Sequence, residues 1–135
     1  MIDLSTLKVP GPTVIALTKP FWDAAAEGRL LLQRCTDCAQ AVHYPRAICP
    51  HCWSEHLIWE EVSGKAVLKS FSVVLKPGHP GWAPAAPYVV GLVTLAEGPT
   101  MLSHILGAIP PKVGDALILA PTNIGGRVLP AFRVL

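Results

Sequence analysis

Four cysteines constrain this chain more than any other feature. Cys35 and Cys38 form one C-x2-C pair, Cys49 and Cys52 form a second, and the sequence has no other cysteine. Each pair can bind one side of a metal ion, and the loop between them can bring all four sulfurs into a tetrahedral site. A closed shell of four thiolates leaves no open position for water or substrate. We therefore predict a structural zinc site on these four residues.

The cysteine pattern allows other interpretations. Two disulfides would require an oxidising compartment, but no charged leader with an apolar segment and a cleavage site opens the sequence. A redox C-x2-C pair usually stands alone beside a βαβ unit, and no such unit is visible. Iron in a rubredoxin-like shell uses the same ligands, so it stays an alternative to zinc. His43, His51 and His56 lie nearby, but four thiols already complete the shell.

Composition narrows the class of protein. A chain of 135 residues, 51% hydrophobic and 15% charged, is typical of a well-buried globular protein with some surface left for a partner. No apolar run reaches the roughly 20 residues needed to span a bilayer. With neither leader nor span, we expect a cytoplasmic protein without a membrane segment. The formal charge of +2 would be offset by zinc-bound thiolates, so the chain is not a polycation.

The first part of the chain, residues 1–28, is predicted to be an arm followed by a short helix. The arm shows no clear period, so we expect it to be extended and held by a partner or by Ile15 and Leu17. Thr18 is a suitable N-cap for a helix over residues 19–27, and a glycine follows as terminator. Phe21 and Trp22 would lie on its apolar side.

Residues 29–63 are predicted to form a zinc ribbon. Short strands are expected at 29–34, 42–44 and 57–62, and the two cysteine knuckles separate them. Hairpins of this size bury too little apolar surface to fold alone, so the metal would hold them together.

Residues 64–135 are predicted to be all β. Five runs of β-branched or aliphatic residues are separated by turn residues, at 66–75, 88–95, 100–106, 116–121 and 128–134. Five short strands in about 70 residues predict a Greek-key barrel of the OB type. The long loop at residues 76–87 contains four prolines and Trp82. Trp82 either caps a barrel mouth or reaches over a ligand or partner.

Ordered motifs along the chain resemble one family. They are FW in the helix, EGRLLLQRC, CTDC, YPR, CPHC, WEEVSG, SFSVV, PYVVGLVTLAEGP and PAFRV. This order is similar to the DUF35 family, acyl-CoA-associated OB-fold proteins with a rubredoxin-like zinc ribbon, over nearly all of the chain after residue 18. The resemblance implies a mainly β fold: an N-terminal helix, the ribbon, then a five-stranded OB barrel. Family knuckles often have glycine where this chain has Ala39 and Trp53, and residues 102–107 replace a segment that often carries Thr-Asn.

The resemblance also implies a function. Such proteins are commonly non-catalytic partners of thiolase-fold enzymes, including thiolases, retro-aldolases and acyltransferases, and sometimes of hotdog-fold hydratases. We therefore predict an accessory subunit in a hetero-oligomer that helps enclose a CoA thioester and is not catalytic alone. Lys76, His79 and Trp82 are the predicted CoA contacts, since a cation can meet the phosphates and an apolar loop can wall the pantetheine arm.

A single-stranded nucleic-acid-binding module is the alternative function, because zinc ribbons and OB barrels both bind single strands elsewhere. Such sites combine a basic groove with stacking aromatic residues. The barrel half is mildly basic, but its aromatic residues are scattered, and two of them lie in apolar runs that favour core packing: Phe71, Trp82, Tyr88 and Phe132.

An independent enzyme is a third class. The sequence has no G-x-S-x-G, H-E-x-x-H or glycine-rich phosphate-loop motif. His79 and His104 could each act as a general base, but neither has a partner visible in the sequence. We expect no catalysis by this chain alone.

Overall fold

The computed structural model describes residues 3–107 and 109–135, so the first two residues of the predicted arm lie outside the described residues. The fold is mainly β, with one short α-helix, a three-stranded ribbon sheet and a closed five-stranded barrel. This architecture confirms the predicted fold class.

The helix α1 spans Lys19–Ala26, close to its predicted range. Its buried side faces the core through Phe21, Ala24 and Ala25. Thr18 occupies the N-cap position, but its hydroxyl accepts from the Ile15 N–H (3.2 Å) instead of from the helix. Among the described residues, no helix combines the length and the apolar character needed to cross a membrane.

The N-terminal arm is held by contacts that the sequence did not indicate. It begins with a 3-10 helix at Leu4–Thr6, and Leu7 is buried directly after it. The Gly125 N–H donates to the carbonyl of the first residue of that helix (2.9 Å). Ile15 and Leu17 are exposed, so the expectation that they hold the arm is wrong. Leu7 does this instead, because its side chain reaches apolar surroundings while theirs stay in solvent.

The ribbon consists of β1 (Leu31–Cys35), β2 (Ala41–Val42) and β3 (Leu57–Glu61), in the antiparallel order β2-β1-β3. Strand β2 ends earlier than the strand predicted at 42–44, since the last two residues of that prediction leave the sheet. One of them, Tyr44, turns towards the helix, where its hydroxyl accepts a hydrogen bond from Trp22 Nε1 (3.1 Å). This turn brings the ribbon against α1.

The strands after the ribbon are β4 (Lys65–Val74), β5 (Tyr88–Leu95), β6 (Thr100–Leu106), β7 (Ala116–Leu119), β8 (Thr122–Ile124), β9 (Arg127–Leu129) and β10 (Ala131–Val134). Five of them close a barrel in the order β10-β6-β5-β4-β7. The predicted last strand is divided at Pro130, because proline cannot donate to a sheet ladder. Its first part, β9, pairs with β8 as a hairpin outside the barrel, and β10 closes the barrel beside β6 and β7.

Buried and more exposed side chains alternate along the barrel strands, so one set faces the interior and the other faces outwards. In β5, Val89 and Val93 are buried, whereas Tyr88, Val90 and Leu92 point to the other side. Phe132 is 0% exposed and belongs to the main core, which also includes Phe21 of α1. Helix, ribbon and barrel therefore share one continuous apolar core.

Candidate metal centre and apolar groove

The four cysteine sulfurs converge at one end of the ribbon. All four lie within 4.8 Å of one another, with 3.5 Å from Cys35 Sγ to Cys52 Sγ and 3.7 Å from Cys38 Sγ to Cys49 Sγ. A tetrahedral zinc with Zn–S bonds of about 2.3 Å places its sulfurs roughly 3.8 Å apart. A disulfide would require about 2.05 Å. The sulfur positions therefore suit a tetrahedral metal ion and not a pair of disulfides.

The knuckle backbone supports negative charge on the sulfurs. The Cys38 N–H points to Cys35 Sγ (3.5 Å), and the His51 N–H points to Cys49 Sγ (3.4 Å). The hydrogen bond from Cys38 is the main cause that lowers the pKa of the Cys35 thiol to about 6. At Cys35 this environment favours the thiolate that a metal binds. Burial and the neighbouring thiols raise the pKa of Cys38 and of Cys52, despite the backbone hydrogen bonds that these two sulfurs accept.

Both knuckles end in a left-handed residue that is not glycine. Ala39 has φ 64° and Trp53 has φ 69°, in a region that glycine adopts more easily than residues with a Cβ. Each N–H donates to the carbonyl of the first cysteine in its pair, at 2.9 Å in both knuckles. The left-handed conformation costs an L-residue with a Cβ about 1–2 kcal/mol.

The structure points to one residue that the sequence analysis did not propose as functional. The Trp53 side chain is 82% exposed. Its indole adds little to the folded core and sits on a backbone conformation that glycine would adopt more easily. A tryptophan at a position suited to glycine was the sequence signal that could have identified it.

Polar contacts beside the sulfurs hold the knuckles in place. Arg34 Nη1 donates to the Ala39 carbonyl (2.7 Å), and the same guanidinium pairs with Glu60. His56 Nδ1 lies 2.9 Å from an Asp37 carboxylate oxygen, which links the second knuckle region to the first. His51 and His56 are thus neighbours of the sulfur cluster and not part of it, as expected from four thiols.

A concave apolar surface lies between α1, the ribbon and the outer face of the barrel. We call it the apolar groove; it has a volume of about 350 Å3, and its main lining residues are Trp22, Tyr44, Val90, Leu102, His104 and Leu129. Among the described residues, no lysine, arginine or carboxylate lines it. Volumes of roughly 300–1,000 Å3 with mostly apolar walls are typical of small-molecule sites.

Two histidines at the groove are uncharged near neutral pH. Burial, reinforced by the positive charge of Arg46, lowers the pKa of His43 to about 4. Burial also lowers the pKa of His104. The His43 Nδ1 atom is buried, and no hydrogen-bond partner for it lies among the described residues. The groove therefore offers neutral polar atoms within an apolar wall.

The proline-rich loop packs beside this groove. It contains a 3-10 helix at Pro80–Ala85, and the Trp82 indole stacks on the His104 ring with centroids 4.8 Å apart. Trp82 is also 5.1 Å from Tyr88, so it rests on the outward side of β5 and β6. His104 lines the groove on one side and a smaller cavity under Trp82 on the other. The loop and the groove consequently meet at His104.

The predicted CoA contacts have different surroundings. Trp82 is half-buried in the stack just described, and Lys76 is exposed. His79 Nδ1 accepts from the Gly81 N–H (2.9 Å), so this histidine caps the loop's 3-10 helix. Their roles in CoA binding stay predictions.

The outer face of β5 and β6 is unlike a single-strand-binding surface. OB folds bind oligonucleotides on the face of their second and third strands, which correspond to β5 and β6 here. That face exposes Leu92 (39%) and Leu102 (67%). Phe132 is fully buried and Phe71 packs against the core, so neither ring is free to stack on a base. Trp82 and Tyr88 do lie on this side, but their rings pack on each other and on His104. This arrangement disfavours the nucleic-acid alternative.

Comparison with known families covers nearly the whole chain after residue 21. Residues 22–57 match the family model described as ChsH2, rubredoxin-like zinc ribbon domain. Residues 59–133 match the model described as ChsH2, C-terminal OB-fold domain.

Three similar proteins illustrate the range of relatives. A probable enoyl-CoA hydratase alpha subunit from Thermomonospora curvata is 38% identical over 94 residues, which are 69% of this chain and 29% of the relative. A DUF35 domain-containing scaffold protein from Methanothermobacter thermautotrophicus is 34% identical over 85 residues, 61% of this chain and 63% of that protein. The chain thus spans less than two thirds of either curated relative. A solved structure described as an Ltp2-ChsH2(DUF35) aldolase has a TM-score of 0.81 at 31% identity, over 92% of this chain and 98% of that one.

Proposed function

We propose that this chain, which belongs to the DUF35 family, is a non-catalytic accessory subunit that docks on an acyl-CoA-processing enzyme of the thiolase fold and helps form its CoA-thioester site. The observation that carries the proposal is the likeness over almost the full length to a DUF35 chain described together with Ltp2 as an aldolase. The other relatives are named as an alpha subunit and as a scaffold protein, and both names describe parts of larger assemblies.

The metal in this proposal has a structural role. Zinc would be held by Cys35, Cys38, Cys49 and Cys52, whose sulfurs form the cluster described above. When all four thiolates bind metal, the chain keeps no cysteine that could act as an acyl nucleophile. The chemistry then belongs to the partner enzyme, and this chain contributes binding surface.

Trp53 is the proposed anchor for docking. Tryptophan is among the residue types that contribute most binding energy at interfaces, because it buries a large rigid ring with few rotatable bonds. The Trp53 side chain is exposed beside the four sulfurs, on a knuckle that a bound metal would hold rigid. A rigid platform lowers the entropy that the complex loses on association.

The test measures association of the purified protein with the acyl-CoA enzyme recovered with it from its source, which we expect to have the thiolase fold. We expect a stoichiometric complex by size-exclusion chromatography and a loss of affinity of at least about tenfold for Trp53→Ala. Leu75→Ala is the control, since Leu75 is an exposed apolar residue directly after β4 and away from the knuckles in the sequence. Equal affinity for wild type and Trp53→Ala would show that docking uses another surface.

The same preparation tests the function itself. If no acyl-CoA enzyme associates, while oligonucleotides bind with an affinity that falls steeply as salt is raised, the accessory-subunit proposal is wrong and the nucleic-acid alternative replaces it. A hotdog-fold hydratase as the recovered partner would keep the accessory role and overturn the thiolase-fold assignment.

A further inference from the structure

The apolar groove combines three features that a ligand site requires. It is concave, its walls are mainly apolar, and a few polar atoms converge on it. Trp22 and Tyr44 form one wall, and their side chains are fixed to each other by the hydrogen bond between Nε1 and the hydroxyl (3.1 Å). Leu102 and His104 of β6 form a second wall. Both walls rest on elements that belong to the shared core, so the groove is preformed.

The lack of charged side chains in the groove restricts the chemical class of ligand that it can bind. Among the described residues, its lining includes two histidines, a serine and a tyrosine as polar side chains and no lysine or arginine. Since burial keeps both histidines uncharged near neutral pH, the groove has no cation that would attract a phosphate. A nucleotide therefore has no partner here, whereas an apolar group with one uncharged oxygen does.

We propose that the apolar groove binds the acyl part of a thioester substrate, with the hydrocarbon against Leu102 and Trp22 and an uncharged oxygen facing His43. This inference rests on the proposed function and assigns its substrate class to a site in this chain. The nucleotide end of the same substrate would lie outside the groove, on the loop side of His104, where Trp82 and Lys76 belong to the loop. The acyl part and the nucleotide part thus contact different elements.

The volume sets the size of the acyl group. At about 30 Å3 for each water-sized group, the cavity of about 350 Å3 holds roughly a dozen non-hydrogen atoms. A medium-length acyl chain or a compact ring system fits this limit. The polar residues of the lining, which include His43, Ser103 and His104, are where an uncharged oxygen of the ligand would lie.

A side chain from the partner enzyme is the competing occupant. An acyl group fits better because the space is a concave cavity with polar atoms within its walls, and protein interfaces at their centres are flatter and less polar. The experiment distinguishes the two occupants.

The experiment uses the isolated, zinc-loaded protein and a thioester without the nucleotide, octanoyl-N-acetylcysteamine. The sequence has two methionines, and Met101 lines the groove, so a 13C-methyl-methionine label gives a local NMR reporter. We expect the Met101 methyl signal to shift in a saturable manner with the thioester and to stay unchanged with CoA alone. We further expect Leu102→Glu to weaken binding by about tenfold or more, because it places a charge beside the ligand's hydrocarbon.

Leu92→Glu is the matched control. Leu92 lies directly opposite Leu102 in the ladder between β5 and β6, faces the same side and does not line the groove. The Leu92→Glu variant should bind the thioester with the affinity of wild type. Unfolding of both variants is followed by circular dichroism, so that a general loss of structure in Leu102→Glu is recognised; in that case Leu102→Gln, which removes the charge, provides the comparison.

Absence of a Met101 shift at millimolar thioester, or equal weakening in the two Glu variants, would overturn this inference. A shift that requires the purified partner and occurs without any thioester would assign the groove to a side chain of that enzyme and would also overturn it. If the enzyme still associates while the thioester does not bind, the inference alone fails. If the thioester binds but no acyl-CoA enzyme associates, the proposed function fails.

Discussion

Ala39→Gly should stabilise the protein, which is unusual for a substitution of alanine by glycine. Ala39 is exposed and has φ 64°, so its Cβ contributes strain and little packing. Replacing alanine by glycine removes about 1–2 kcal/mol of left-handed strain. It also destabilises the protein by roughly 0.4–1 kcal/mol, because the unfolded chain with glycine has greater conformational entropy. The net gain is therefore between about 0 and 1.6 kcal/mol, with a central value of about 0.8 kcal/mol. The backbone carbonyl that accepts from Arg34 (2.7 Å) is kept in the variant.

The assays are urea and thermal unfolding of the zinc-loaded protein after free zinc has been removed, followed by circular dichroism and by release of zinc to a chromogenic chelator. Zinc release reports on the ribbon, where the substitution lies. For a chain of this length, we expect the midpoint of thermal unfolding to rise by about 2–3 °C.

Ala26→Gly is the matched control. Ala26 is the last residue of α1, is exposed, and does not have a positive φ. There the same chemical change should destabilise the protein by roughly 0.5–1 kcal/mol, because glycine loses more entropy on entering a helix. If Ala39→Gly destabilises the protein as much as Ala26→Gly does, the strain argument for the knuckles is refuted.

Three further substitutions probe the metal, the groove and the arm. Cys35→Ser should reduce bound zinc, measured by elemental analysis, from one ion per chain to a small fraction, and it should abolish the zinc-dependent part of the unfolding free energy; full zinc content would contradict the ligand assignment. For His43 the unfolded state takes up a proton near pH 6.5 and the folded state only near pH 4. As pH falls from 6.5 to 4, the free energy of unfolding of wild type, measured by urea titration, should therefore decrease by up to about 3 kcal/mol relative to that of His43→Phe. A difference between the two proteins that does not depend on pH would refute the buried neutral ring. Gly81→Ala would place a Cβ against the Lys8 carbonyl oxygen, so we expect a loss of about 1–3 kcal/mol and faster proteolysis of the arm; unchanged cleavage would show that the arm does not depend on this contact.

Much of the fold could be predicted because its signals are local. The C-x2-C spacing defines the knuckles, and β5 and β6 have the bounds that their apolar runs indicated, Tyr88–Leu95 and Thr100–Leu106. The strain at Ala39 and Trp53 was also foreseeable, since a turn suited to glycine carries a side chain at each position. In each case, the neighbours that decide the structure are within a few residues in the sequence.

The groove and the anchoring of the arm could not be predicted because distant segments build them. Trp22 comes from α1, Tyr44 from the ribbon and Leu102 from β6, and no period or motif relates these three positions. The arm is fixed by the burial of Leu7 and by a backbone bond from Gly125, which lies at the other end of the chain. Its apolar residues Ile15 and Leu17 were better candidates by composition, yet the packing left them exposed.

The metal centre and the groove are connected through the first strand of the ribbon. Strand β1 ends at Cys35, and two residues earlier the buried Gln33 side chain binds the corner after Tyr44: it donates to the Arg46 carbonyl (2.9 Å) and accepts from the Arg46 N–H (2.7 Å). That corner positions Tyr44, which holds Trp22 at the wall of the groove. Because so small a ribbon depends on its metal to fold, losing zinc should release the corner and open the groove. Chelation should therefore broaden or shift the Met101 methyl signal without any ligand, and a Met101 signal that stays unchanged after complete removal of zinc would show that the groove is formed by α1 and the barrel alone.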